Sequence, residues 1–523
     1  MSRTTTTRPA VRSDPAPPSP TDERGSGNAD TTLKPGGSAA RHAIEGGLAV
    51  LAALTAMSGA GYAALRALGA DGSAPLTQLV PAVTSLAFGG PVDLSADLTP
   101  KAGAGGGMLD MLGGGGGLSL GITGRVWAVP LMLTFLGAAV LGWCFFRPLR
   151  RRARPAPALL IARSVGALGV TTVLVPVLAS MAHGSLALPE SVSKRLGSGG
   201  GSGGGLGKLT GGEGIPSLDF TTDIVLTGFL AVLEVALVIG IGCLAARRTS
   251  LPRPVALSRA RLKWNPVTST LTGIFTALCT LGLFLALLAG AAAATGRDQA
   301  AKAAGALLLA APNLLSAVLT SGLGASWQAG MERRRPEGGG MMGGLGGATG
   351  SGAEGGARQL DVSGKTVAGL PLWLIGLTLL VCLLVYAGYR TAARTPVRRA
   401  REEAKALLGR HVEIALRAGV AVGLSVLVIG LVSQASAGIG FSLMGNEMGG
   451  MDAGLDGSVR LPALAAFVLA SLACYAGSRL RSVRDGGRRL RPRPRDRTQV
   501  REVSSKPSSG RRGSPKDTTR PRT

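Results

Sequence analysis

The sequence predicts an all-α, polytopic transmembrane helix bundle. Three observations carry that prediction. The apolar residues lie in uncharged blocks of about 20, the length that crosses a hydrocarbon core. The chain is 46% hydrophobic but only 4% aromatic, a poor composition for a soluble core of 523 residues. Its Lys and Arg gather at alternate connections rather than along one face, which disfavours a nucleic-acid partner despite the net charge of +27. No apolar core segment precedes residue 41, so no cleavable signal peptide is expected.

Residues 1–41 are rich in Thr, Pro, Ser and Gly and are expected to be disordered. Spans are then expected at Ala43–Leu65, Val126–Phe146, Ser164–Ala182, Thr221–Ala246, Thr270–Ala294, Leu370–Tyr389, Ala418–Gly440 and Leu461–Gly477. Long Gly-rich loops occupy 67–125, 183–219 and 331–368, and a Gly/Met loop occupies 442–459. Within the first loop, Leu76–Phe88 is apolar but too short to span. Arg163 falls in an interfacial stretch before the third span, and residues 390–411 form a basic connector of helical character. The transmembrane domain covers 42–480, and the basic tail 481–523 is expected to be disordered.

One further apolar stretch, Ala303–Trp327, decides the topology. If it does not cross, the segments 1–41, 147–163, 247–263, 390–417 and 479–523 share one side and hold 42 of the 56 Lys and Arg. Basic flanks resist translocation, so that side is cytoplasmic and holds both termini. If the stretch crosses, 390–417 and the tail change sides, carrying 24 basic residues to the wrong face. The expected architecture is therefore eight spans plus one re-entrant segment, with nine spans as the alternative. Pro312 lacks a backbone donor and is expected to break the segment, and Asn313 to satisfy the freed groups or a ligand.

Two pairs of stretches look alike. RHAIEGGLAVLAAL at 41–54 resembles RHVEIALRAGVAVGL at 410–424, and LVPAVTSLAFGG at 79–90 resembles LAAPNLLSAVLTSGLG at 309–324. Such repetition builds transporter folds, and also arises from duplicated hairpins.

Glu234 is the sharpest candidate for chemistry, because a charge at mid-bilayer costs about 2.5–3.5 kcal/mol on insertion scales. It reads either as a proton or cation site or as a protonated acid bonded to a neighbouring helix. Glu45 and Glu413 sit near arginines at the cytoplasmic ends, where they read as interfacial or as a gate. Gly419 with Gly423, and Ala138 with Gly142, have helix-packing spacing. The five cysteines lie in apolar blocks without a C-x-x-C and read as packing residues. Loop methionines at M-x-x-M spacing suit a soft metal such as Cu(I), but without nearby Cys or His they read as apolar punctuation. No phosphate loop, nucleophile elbow or zinc-peptidase motif occurs, so no enzyme, cofactor or metal site is expected. The basic tail is expected to meet anionic lipid head groups. The candidate pathway is thus Glu234, Pro312 and Asn313 in a transporter- or channel-like protein; the alternative is a non-transporting scaffold or envelope sensor.

The stretches RHAIEGGLAVLAAL and APNLLSAVLTSGLGASW, with spans alternating with Gly-rich outer loops over roughly 41–480, resemble the streptophobe family. These are integral membrane proteins of Streptomyces and relatives. The resemblance implies an actinobacterial cell-membrane location and supplies no active-site residues.

Overall fold

The computed structural model describes residues 35–98, 120–151, 156–187, 217–246, 251–293, 298–334, 360–361, 366–367, 369–395, 409–443 and 446–489. Among these, nine helices are long and apolar enough to cross a membrane. They belong to α1 (Pro35–Leu68), α3 (Leu131–Arg151), α4 (Pro157–Ser180), α5 (Ile224–Ala245), α6 (Arg259–Ala293), α7 (Asp298–Ser321), α8 (Leu372–Arg394), α9 (Arg410–Val432) and α10 (Arg460–Arg489). The short apolar stretch forms α2, Leu76–Ala87, as its length predicts. The expected disordered N-terminus is helical from Pro35 onward. Residues 1–34 and 490–523, and most of the basic connector, lie outside the described residues.

An all-α fold is not what forms. Eight strands make one antiparallel sheet in the order β3-β4-β1-β2-β9-β10-β5-β6. The strands are β1 (Val92–Leu98), β2 (Leu120–Ala128), β3 (Gly184–Ala187), β4 (Ser217–Thr222), β5 (Trp327–Arg334), β6 (Leu360–Asp361), β9 (Ala435–Leu443) and β10 (Asn446–Gly457). A two-residue pair, β7 (Thr366–Val367) with β8 (Leu370–Pro371), stands apart. All four segments expected to be loops therefore contribute strand. The expected spans 126–146 and 418–440 also run too far: Val126–Ala128 belongs to β2 and Ala435–Gly440 to β9. An uncharged run of Ala, Ser and Gly satisfies a hydropathy window as well in a strand as in a helix.

The sheet has two unlike faces. In β4, Leu218, Phe220 and Thr222 are buried while Ser217, Asp219 and Thr221 are exposed. Cross-strand partners keep that alternation, so Leu94 faces Phe220 and Gly124, and Ser95 faces Asp219 and Thr123. Phe220, Val92, Leu94 and Leu186 pack on Leu79, Ala82 and Leu86 of α2. The helix-joined ends form one row, through Thr222–Val92, Val126–Ala437, Ala435–Leu455 and Gly457–Trp327. Every strand thus runs away from the helix ends as a parallel stave.

The element order repeats. The run α1, α2, β1, β2, α3, α4, β3, β4, α5 is matched by α6, α7, β5, β6, α8, α9, β9, β10, α10, with the small β7–β8 pair inserted before α8. The sheet repeats with it, β3-β4-β1-β2 being followed by β9-β10-β5-β6. Local detail agrees. Gly89 and Gly324 have φ of 87° and 84°, a left-handed conformation open to glycine. Each closes its helix with the same two bonds, Gly89 to Leu86 O and Gly90 to Ser85 O, then Gly324 to Ser321 O and Ala325 to Thr320 O. A strand begins three residues later in both cases, at Val92 and Trp327. The likeness between 79–90 and 309–324 is therefore structural. That between 41–54 and 410–424 is not, because α1 and α9 hold different places in their repeats.

The expected break at Pro312 does not form, since α7 runs through it. A proline forfeits one helical bond, but most helix stability in a fold comes from packing. Here α1, α3 and α6 pack against the segment. Near its start, Gly305 meets Ala64 and Leu68 at the C-terminal end of α1. Past its end, Gly322 meets Gly376 and Leu377 in the first turns of α8, and the chain enters β5. Both ends of α7 thus lie at the sheet end of the bundle.

Candidate functional site

The opposite end carries arginines that serve a structural purpose. Pro148 cannot donate to the carbonyl four residues back, which leaves Cys144 O without its helical partner. Arg163 Nη2 donates to that oxygen at 3.1 Å. Arg261 Nε likewise donates to Cys243 O at 2.9 Å, with Nη2 on Ala246 O, near the end of α5. Arg410 Nη2 donates to Thr395 O at 2.7 Å and Ala392 O at 3.3 Å, at the end of α8. Each of these three helix–helix turns is clamped by an arginine of the second helix on the open carbonyls of the first.

Arg163 does more than clamp. It lies inside α4, which begins at Pro157 and so ahead of the span expected from Ser164, and it is 3% exposed. Its Nη1 donates to Glu45 Oε2 at 3.2 Å, and its guanidinium sits 5.3 Å from the Phe145 ring centroid. Glu45 also meets His42 Nδ1 at 3.2 Å and Arg41 at 3.6 Å. Close backbone approach makes this possible. A Cβ at Gly166 would stand 2.0 Å from Ala43 O, and one at Gly46 would stand 2.1 Å from Arg163 O. Glu413 pairs with Arg417, whose Nη1 donates to Lys263 O at 3.2 Å. His411 Nδ1 bonds Ser478 Oγ at 3.0 Å.

Glu234 lies on the flank of the buried stripe Thr227, Ala231, Val235, Ile239 of α5. It lines a small cavity with Met57, Phe88, Leu141, Thr171 and Val175, with about 20 Å³ open to the centre of a water. No hydrogen bond or ion pair reaches its carboxyl among the described residues. Thr171 Oγ1 donates to Ala167 O at 2.9 Å.

Asn313 works elsewhere. Its Oδ1 accepts from Leu131 N–H at 3.1 Å and its Nδ2 donates to Val129 O at 2.9 Å. It thus caps the first turn of α3 and ties the second repeat to the first. Ser316 Oγ meets Ser433 Oγ at 2.9 Å one turn on. Pro312 is buried beside it. Glu234 and Asn313 are therefore not assembled into one pathway: the carboxyl sits within the first repeat, and the amide holds a helix N-terminus.

Of the spacing motifs, Gly419 and Gly423 both pack on Phe467 of α10, whereas Gly142 meets nothing within 4 Å. The five cysteines are free, with Cys279 and Cys474 buried. Among the described residues, no group of three or more His, Cys, Asp or Glu could hold a metal. The side chains of the loop methionines lie outside the described residues. Hydropathy missed the Arg163–Glu45 pair because its members are 118 positions apart.

The arrangement defines a polytopic helical membrane protein built from two tandem repeats that share one sheet beyond the helix ends. No known family model matches the chain, and neither curated proteins nor solved structures yield a match.

Proposed function

We propose that this is a non-transporting membrane platform whose working surface is the shared sheet. The observation that carries this reading is the seam between repeats, where β2 pairs with β9 over nine residues, Leu120–Leu443 through Ala128–Ala435. Alternating access requires two repeats to rock against each other around a central site. A nine-pair ladder ties their sheet ends together and opposes that motion. The candidate pathway residues also sit apart, as described above.

In this reading eight helices cross and the unbroken α7 lies along the sheet end without dipping in and returning, supported by the contacts of both its ends and of Asn313 there. The arginine-clamped end and both termini are then cytoplasmic, in keeping with the 42 basic residues grouped there, and the sheet is extracytoplasmic. The tail meets anionic lipid head groups through the 16 Lys and Arg of residues 479–523. The reading of the chain as a streptophobe of an actinobacterial cell membrane rests on the two sequence stretches quoted above and on the alternation of spans with Gly-rich loops.

The test is reconstitution of the full chain in liposomes, with proton and monovalent-ion fluxes recorded across imposed gradients. Flux equal to that of empty liposomes is the expected result. A flux that the chain supports and Glu234→Gln abolishes overturns the platform in favour of a transporter.

A further inference from the structure

We infer that Glu234 and Thr171 form a binding site for a single proton, held with one water inside the membrane. The inference rests on the helices spanning a bilayer and is independent of the role given to the sheet. Glu234 stands near the middle of α5, 10 residues from its first residue, Ile224, and 11 from its last, Ala245. The cavity it lines has about 20 Å³ of space for a water's centre. One water needs about 10–15 Å³ on that measure and two or more polar partners. Glu234 and Thr171 supply them. Because Thr171 Oγ1 spends its hydrogen on Ala167 O, what it can still offer a water is an acceptor. A neutral carboxylic acid is the complementary partner, since its O–H donates into the water and its carbonyl accepts.

Two alternatives fail on chemistry. A bound Mg²⁺ or Ca²⁺ would find too few ligands: hard divalent cations take about six or more oxygens, and this cavity has two carboxyl oxygens and one hydroxyl on its side chains. An ionised carboxylate would need a counter-charge, and no Lys, Arg or His lines the space. The titratable and charged groups on the surrounding elements are Arg41, His42, Glu45, Tyr62 and Arg66 on α1, Cys144 and Arg147 on α3, Arg163 on α4, Cys243 with the capping Asp223 on α5, and Arg259, Arg261, Lys263 and Cys279 on α6, which packs against α5. The α2 helix has none. Of these, none lines the cavity.

Infrared spectroscopy of the full chain in lipid nanodiscs reads this directly. A protonated carboxylic acid shows a carbonyl stretch above the amide bands, and a carboxylate does not. At pH 7 the wild type is expected to show one such band, shifted in D₂O and absent from Glu234→Gln. Thr171→Val should move the band to higher frequency by weakening the hydrogen-bonded network. If Glu234→Gln fails to assemble, ¹³C-glutamate labelling of the wild type assigns the band to a Glu. Absence of any protonated band at pH 7 overturns the inference, as does a band that survives in Glu234→Gln. An unshifted band in Thr171→Val overturns the shared-water site. None of these outcomes depends on whether liposomes show flux.

Discussion

Replacing Glu45 with Gln keeps the shape of the side chain and removes the anion facing Arg163. The guanidinium is 3% exposed and keeps Cys144 O, the Phe145 ring and a neutral amide oxygen, none of which balances its charge. Removing one member of a buried pair costs about 3–5 kcal/mol, because the other is left as an uncompensated charge. The converse change is milder. Arg163→Met leaves Glu45 27% exposed, with His42 at 3.2 Å and Arg41 at 3.6 Å still in reach. What it loses is chiefly the bond to Cys144 O, and stranding that carbonyl costs about 1–3 kcal/mol. Glu45→Gln should therefore destabilise by about 2 kcal/mol more than Arg163→Met, and the double variant should be more stable than Glu45→Gln alone. Unfolding by SDS titration in mixed micelles measures all three, with reactivity of the buried Cys279 and Cys474 thiols as a second probe. Equal losses in the two single variants, or a double variant whose loss is their sum, would refute the account of the pair.

The remaining predictions test the fold. Asn313→Leu should cost about 2 kcal/mol, two hydrogen bonds at ~1 kcal/mol each, in the same titration. Gly166→Val places a Cβ 2.0 Å from a backbone oxygen, so α1 and α4 must separate, with a loss of about 1–3 kcal/mol. Cysteines introduced at Gln299 and Ser326, at the two ends of α7, should both react with an impermeant maleimide from the same side of the membrane; labelling from opposite sides would show that α7 crosses. Arg125 and Gly438 are direct partners across the repeat seam, so Arg125→Cys with Gly438→Cys should oxidise to an intramolecular disulfide. Its absence on non-reducing mass analysis after proteolysis would count against the seam.

The helices were legible because hydropathy over about 20 residues is a sufficient signal for a membrane span. Their ends were less so. Nothing in the ASAGIGF run, residues 435–441, marks where α9 stops, because small uncharged residues suit either structure. The sheet was hidden by composition. Strands such as β10, NEMGGMDAGLDG, are built from residues depleted in strands, and they hold because partners flank them on both sides. The one clear alternation, SLDFTT in β4, is six residues long and sits beside a Gly-rich tract. The duplication showed itself only at 79–90 and 309–324, where a glycine turn preserves residue type. Glu234 could be named from sequence because an acid in an apolar run is conspicuous. Its cavity could not, since the walls come from α1, α3, α4 and α5 and from Phe88 beyond α2. Asn313 was singled out beside Pro312, but as a partner for a broken backbone. Its actual partners lie more than 180 positions away.

The staves also have a mechanical consequence. Their hydrogen bonds run sideways from strand to strand, and every strand of the eight except β6 is joined at one end to a helix. A pull along the strands, away from those helices, loads a whole ladder in shear, so its rungs share the force. A pull across the strands peels an edge strand instead, breaking rungs one after another. The sheet is therefore stiff along its strands and compliant across them, with the four-residue β3 and two-residue β6 the first to part.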